Sequence, residues 1–371
     1  MSASTPTAHL AKVIDCLQLL LHQHARVRGP AHPELASAAQ EAIQQLHWAK
    51  RRLLAEQLVV AFVGLTNTGK STLLNALFGE TIAPKWNGPC SSAPVEFRHG
   101  PVYRATASYR NRVKRMHQQC GSAAELCETI KANATENGNA AVGMVDRLVA
   151  ELPAQVLASG LVIADTPGFG AAQPGADAGK HQQSLVSYLP RVHQVFWVVR
   201  TSGEISLSRE EADFYRQRLS DCCDDLVVTG AEHLEAEHRD QFARFCRDNL
   251  GVHFLRFHFV SGKQGYAAKR NGDTDLLNRS GLPALEARLT EVADTSTRLT
   301  RLADEVLNLT ADFGAWLSQS DAGLAREQRW NCAKVEWLNV LHCAGKFEAS
   351  GGVPFLGWRD NIGSTLQGGP R

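Results

Sequence analysis

Leu58-Val-Val-Ala-Phe-Val-Gly-Leu-Thr-Asn-Thr-Gly-Lys-Ser-Thr-Leu-Leu-Asn-Ala-Leu-Phe-Gly79 decides the fold of this chain. It opens with an unbroken apolar run, Leu58 to Val63, the pattern of a strand buried on both faces. Gly64 to Ser71 then matches G-x-x-x-x-G-K-[ST] at every fixed position. Gly64 lets the chain leave the strand in a tight turn, and Gly69 lets the backbone approach an anion. The N–H groups of Thr66, Asn67, Thr68 and Gly69, with the positive end of a helix starting at Lys70, point at phosphate. Lys70 is expected to reach the β- and γ-phosphates of a nucleotide and Ser71 to ligate Mg²⁺, with Thr72 next to it among the nucleotide-binding residues. Leu73, Leu74, Ala76, Leu77 and Phe78 recur at helical spacing, so the helix that the motif requires is present.

Upstream lie two amphipathic stretches. Leu10, Val13, Ile14, Leu17, Leu20 and Leu21 share one helical face, Arg28 to Pro33 breaks the pattern, and Pro33 to Gln57 resumes it. Downstream, Thr81 to Gly100 is irregular and then alternates from Val95 like a strand; Ser91 and Ser92 are its candidate Mg²⁺-meeting hydroxyls. Residues 103–117 are basic, which suits a solvated strand edge or helix face. Leu161-Val-Ile-Ala-Asp-Thr-Pro-Gly168 is an apolar strand ending in Asp165, with Gly168 three residues on. An acid there can hold the metal shell, and the Gly168 N–H can meet a γ-phosphate.

Val195 to Val199 and Leu226 to Val228 read as further buried strands, and Phe254 to Val260 as the last. Thr229-Gly-Ala-Glu232 stands where a guanine-binding protein carries N/T-K-x-D. Glu232 supplies the acid, but Gly230 replaces the lysine that covers the ring. Ser261, Gly262 and Lys263 form a loop that edges the base. From Leu285 a long helix is expected, with positions 285, 289, 292, 296, 299, 303, 306, 310, 313 and 317 making a bundle seam against the N-terminal helices. Past Trp337 the pattern fades, and residues 345–371 are expected to be poorly ordered.

The whole chain has 371 residues, 44% of them apolar and 21% charged, the balance of a globular protein. A net charge of +1 points to neither nucleic acid nor membrane. The nine cysteines form no C-x-x-C pair, which suits reduced thiols in a reducing compartment. No signal peptide or transmembrane run is read in the sequence, so a cytoplasmic location is expected.

With these motifs placed, the chain resembles the dynamin superfamily, and among its members the bacterial dynamin-like GTPases, over about residues 35–300. The continuation of the phosphate loop as Gly69-Lys-Ser-Thr-Leu-Leu-Asn-Ala-Leu-Phe-Gly79 carries the resemblance. So do Pro89-Cys-Ser-Ser-Ala-Pro-Val-Glu-Phe-Arg-His99, the strand into Asp165-Thr-Pro-Gly168, and Val260-Ser-Gly-Lys263 with Ser280-Gly-Leu-Pro283. The resemblance implies an α/β fold: a P-loop GTPase domain, mostly parallel sheet flanked by helices, with a bundle built from N- and C-terminal helices. The implied division is residues 1–57 as bundle helices, 58–283 as the GTPase domain, 284–340 as further bundle helices and 341–371 as tail.

It also implies a GTPase that turns GTP into GDP and phosphate with Mg²⁺ and switches conformation. Lys70, Thr68 and Ser91 would be catalytic. Ser71, Ser91 and Asp165 would hold the metal. Ser91 stands where the family has its Mg²⁺-binding threonine, and Phe169 stands where other GTPases place a water-orienting glutamine. Hydrolysis would then depend on loop groups and on self-association through the GTPase domain. Peripheral association with a membrane surface is implied at family level, and nucleic acid is not an expected partner. Two other readings stay open: a non-catalytic nucleotide-gated interaction protein, and an ATP-binding P-loop protein with altered base selectivity. A ribosome-assembly GTPase is disfavoured, because no basic RNA-binding domain follows.

Overall fold

The computed structural model describes residues 6–28, 33–55, 57–84, 93–109, 115–134, 145–166, 168, 178–201, 209–219, 223, 225–234, 236–250, 256–294, 299, 302, 303, 306 and 309. Two compact units emerge, Gln57–Ala293 and a second drawn from Met1–Glu56 with Asp294–Arg371.

The larger unit is built on a nine-stranded sheet. Its strands are β1 (Val59–Val63), β2 (Val95–His99), β3 (Tyr103–Tyr109), β4 (Arg115–Cys120), β5 (Val145–Leu152), β6 (Val162–Asp165), β7 (Gln194–Arg200), β8 (Asp225–Thr229) and β9 (Arg256–Val260). In space they run β4-β3-β5-β2-β6-β1-β7-β8-β9. From β6 through β9 all neighbours are parallel, with β1 central. Successive residues of β1 serve opposite faces: Val60 and Phe62 enter one core, while Val59, Ala61 and Val63 enter the other. That period of two explains the unbroken apolar run, because both faces are covered.

Helices α3 (Lys70–Phe78), α8 (Gly262–Asn271) and α10 (Leu282–Ala293) lie with the first core. Helix α5 (Ala178–Tyr188) and α6 (Arg209–Phe214), which passes into a π-turn over Tyr215–Leu219, lie with the second. The remaining helices of the unit are α4 (Ala123–Ala134), α7 (Ala236–Leu250) and α9 (Thr274–Arg279).

The α/β class, with a mostly parallel sheet flanked by helices, is therefore as the sequence predicts. The far edge is not. Strand β2 runs antiparallel to β6 and parallel to β5, and β3 runs antiparallel to both β4 and β5. Strand β5, Val145–Leu152, is not read from the sequence, where Asp146 and Arg147 interrupt the apolar alternation. The described parts of the basic stretch 103–117 are two strands, and Arg104 lies on β3, one strand in from the edge strand β4.

The smaller unit contains α1 (Pro6–Arg28) and α2 (Pro33–Leu54), and proline opens both, where its missing N–H has no helical partner to lose. Leu10, Val13, Ile14, Leu17, Ile43, Leu46 and Leu53 share a core with Leu302, Ala303 and Val306. The expected seam from Leu285 is thus divided. Leu285, Leu289 and Val292 are spent on the core of the larger unit, and among the described residues Ala303 and Val306 share the core of α1 and α2. Heptad spacing alone cannot tell which of two apolar surfaces a helical stripe will meet. Residues 310–371, where the later seam positions and the poorly ordered tail are expected, lie outside the described residues.

Candidate functional site

The site gathers at the carboxyl ends of the parallel strands, where open α/β sheets bind ligands. The chain leaves β1 at Gly64, where an added Cβ would stand 2.2 Å from the Val198 carbonyl oxygen. Any side chain there would collide with the neighbouring strand. The loop then turns through Asn67 at φ 65° and reaches Gly69, the N-cap of α3. Thr68 Oγ1 donates to the Leu65 carbonyl at 2.9 Å and ties the loop to itself.

Lys70 is buried, and its ammonium folds back into the loop. Nζ donates to the carbonyls of Gly64 at 3.0 Å and Leu65 at 2.8 Å. A cation is therefore already held inside the ring of backbone that a phosphate would fill. Ser71 Oγ lies 3.5 Å from Asp165 Oδ2 at the end of β6. Burial pushes the Asp165 carboxyl up to about 6, while Lys70 and the Ser71 hydroxyl pull it down. Hydroxyl and carboxylate oxygens at this spacing are the hard donor set that Mg²⁺ takes beside phosphates. Among the described residues no cluster of three His, Cys, Asp or Glu that could hold a metal ion is found.

Gly168 packs onto the loop, where a Cβ would lie 2.9 Å from Thr66 N and 2.8 Å from Thr66 Oγ1. The structure thereby brings together Gly64, Thr66, Asn67, Thr68, Gly69, Lys70, Ser71, Asp165 and Gly168. Thr72 follows on α3 and meets Gly262 of α8, whose added Cβ would be 3.3 Å from the Thr72 carbonyl carbon. Ser261 caps α8, its hydroxyl accepting from the Gln264 N–H at 3.3 Å, and Lys263 is exposed on the same turn. Glu232 sits in the 3-10 turn Ala231–His233, with Oε1 3.8 Å from His233 Nε2. Ser91 and Ser92 lie outside the described residues.

Gly230 has φ 76°, and an added Cβ would stand 2.6 Å from the Thr201 carbonyl oxygen. The missing base-motif lysine is thus a property of the backbone as well as of the sequence. A lysine here would need both a left-handed residue with a side chain and a displaced strand end.

Two positioning residues were not singled out from the sequence. Thr229 lies between the carbonyls of Thr68 and Val199, its hydroxyl 3.2 Å from the latter, and so joins the phosphate loop to β7 and β8. Its place at the head of the base-motif position was the available signal. Asn75, on the buried face of α3, accepts from the Ile82 and Ala83 N–H groups and donates to the Ala83 carbonyl, each at 2.8 Å. It fixes the chain just before the segment that carries Ser91. Asn75→Ala should cost about 2–3 kcal/mol in urea-unfolding free energy, because buried backbone groups at residues 82 and 83 lose their partner. A cost under about 0.5 kcal/mol would mean that water replaces the amide.

Residues 60–227 match the model of the dynamin family. The isoniazid-induced protein IniC of Mycobacterium tuberculosis is 32% identical over 162 residues, 42% of this chain and 31% of that protein. A bacterial dynamin-like protein of Nostoc punctiforme is 26% identical over 168 residues, 44% of this chain and 23% of that protein. The matches thus span less than a third of either relative. A solved oligomerised bacterial dynamin pair covers 90% of this chain and 53% of its own, with TM-score 0.49 and 15% identity.

Proposed function

In a chain that carries a dynamin-type GTPase domain, we propose that the site binds GTP with Mg²⁺ and hydrolyses it to GDP and phosphate. The observation that carries this reading is the loop itself: Lys70 Nζ held within it and Ser71 3.5 Å from Asp165. Lys70 meets the β- and γ-phosphates, the loop N–H groups cradle them, and Thr68 and Thr66 line the γ side. Ser71, Asp165 and, by family position, Ser91 hold Mg²⁺, which neutralises charge on the phosphate oxygens when bound. Catalysis is then positioning and charge stabilisation. Gly168 packs against Thr66, so release of the γ-phosphate frees the loop behind it and provides the conformational switch. Glu232 and residues 261–263 face the base.

Phe169 is not a water-orienting side chain, so turnover rests on the phosphate loop and on a second copy across the nucleotide face. A membrane surface is the family-level partner of this proposal, reached peripherally. Among the described residues no helix is long and apolar enough to cross a membrane. Because Leu285, Leu289 and Val292 pack in the core of the larger unit, the GTPase domain of this proposal runs from residue 58 to about Ala293 rather than to 283, and its helical bundle joins residues 1–57 with residues beyond Ala293 up to 340, followed by a tail of residues 341–371. The core shared by α1, α2, Leu302, Ala303 and Val306 supports its central part.

The test titrates GTP, GDP and ATP with Mg²⁺ and follows phosphate release over a range of protein concentrations. GTP-selective binding, with turnover per molecule rising as protein is concentrated, is the expected result. Binding without turnover at any concentration would replace the enzyme by a nucleotide-gated interaction protein. Equal binding of ATP would show that Thr229 to Glu232 has given up guanine selection. Failure of the GTP-loaded chain to sediment with anionic liposomes would remove the membrane part.

A further inference from the structure

Strand β7 is buried along Gln194 to Val199 and ends on an exposed arginine, Arg200. Its guanidinium reaches out of the strand to the phosphate loop, where Nη1 donates to the Asn67 carbonyl oxygen at 3.4 Å. Asn67 is the described non-glycine residue with left-handed φ, so the loop turns sharply at the point the guanidinium touches.

Arg200 is also placed beside the base motif. It pairs in register with Thr229, whose hydroxyl touches the Thr68 carbonyl. The next residue, Thr201, donates its N–H to the Thr229 carbonyl at 3.0 Å, and its own carbonyl closes the space at Gly230. One side of this corner therefore has no side chain, because Gly230 cannot carry one there. The adjacent strand end supplies a long cationic side chain in its stead.

We propose that Arg200 takes over the work of the absent base-motif lysine: it braces the phosphate loop through Asn67 and lays its guanidinium plane over the purine ring of the bound nucleotide. A guanidinium is planar, always charged and weakly hydrated, and it stacks on aromatic faces while its edge N–H groups still donate. One group thus serves loop and base together. This inference rests on the nucleotide-binding reading and deepens it by naming a residue that grips the base.

The experiment measures by calorimetry the binding of Mg²⁺–GTP and of Mg²⁺–tripolyphosphate, which has no base, to the whole chain and to its Arg200→Ala and Arg200→Lys variants. Arg200 is exposed, so the variants should melt with the parent. Arg200→Ala should bind GTP about tenfold more weakly, the scale of one lost stacking contact. Tripolyphosphate should weaken by no more than about threefold, and Arg200→Lys, which keeps the charge but not the plane, should recover only part of the GTP affinity. Unchanged GTP affinity in Arg200→Ala would overturn the proposal. An equal loss for both ligands would overturn its base-covering half and leave a loop brace. A parent that binds tripolyphosphate as tightly as GTP would overturn it while sparing the phosphate site. A parent that binds neither would overturn the nucleotide reading itself.

Discussion

Lys70→Ala is expected to bind Mg²⁺–GTP about 100-fold more weakly than the parent, or worse, and to release no measurable phosphate. The ammonium is buried and anchored on the Gly64 and Leu65 carbonyls, so it is positioned before any ligand arrives. Truncating one partner of a buried charged pair costs roughly 2–5 kcal/mol, and each 1.4 kcal/mol or so is a factor of ten. Stability should move far less. Lys70 is the first residue of α3, where a cation opposes the helix dipole, so its removal relieves about 0.3–1 kcal/mol while loosening the loop. Fluorescent-nucleotide titration beside a thermal melt separates the two effects. GTP affinity within threefold of the parent would show that the loop does not present Lys70 to phosphate.

Asp225→Ala should destabilise the chain by about 3–5 kcal/mol with no residue of the nucleotide site touched. Asp225 begins β8 fully buried. Its Oδ1 accepts from Arg288 Nε at 3.0 Å and meets His258 Nε2 at 2.9 Å, and its Oδ2 accepts from Arg288 Nη2 at 3.0 Å and Gln194 Nε2 at 3.2 Å. One carboxylate thus joins β7, β8, β9 and α10. Arg288 Nη1 lies 2.9 Å from Glu291 Oε1, close enough for an ion pair but outside hydrogen-bond alignment, so Glu291 alone cannot satisfy the guanidinium. Removing the carboxylate leaves that guanidinium buried and undercompensated, which is the expensive half of breaking such a pair.

Burial acts to raise the Asp225 carboxyl, yet the hydrogen bonds and charges of His258 and Arg288 hold it below its usual value. A folded value below the unfolded one means that the contribution is fully present above the ordinary aspartate range, near 3.9 or so, and fades as pH falls through the depressed value. The gap between parent and Asp225→Ala should therefore be constant from about pH 5 to 7 and narrow in stronger acid. Urea unfolding at several pH values measures it. A gap below about 1 kcal/mol at neutral pH would mean that water enters and solvates Arg288. The paired change Asp225→Leu with Arg288→Met should recover part of the loss, because it removes both charges together.

The sequence by itself determined the parts of this protein whose cause is local. A short apolar run bounded by a glycine turn reads as a strand covered on both faces, and a glycine-bounded turn into a helix turns N–H groups and a lysine toward one point. Hence β1, the loop, α3 and the strand ending in Asp165 were legible, as were the apolar runs of β7 and β8. Strands β3, β4 and β5 were not, because charged residues interrupt their apolar patterns, and the pairing of β5 with β2 and β3 joins segments about 40–50 residues apart. Nor was the division of the helical stripe after Leu285, since spacing marks an apolar face and not the surface it will meet. Tertiary structure alone decided the long-range polar contacts: Thr229 on Thr68, Arg200 on Asn67 and Arg288 on Asp225. Each joins groups tens of residues apart or more, through a bond that needs a particular distance and direction. Local pattern encodes which side of an element leaves water, whereas a hydrogen bond between remote side chains exists only once the sheet has set both ends in place.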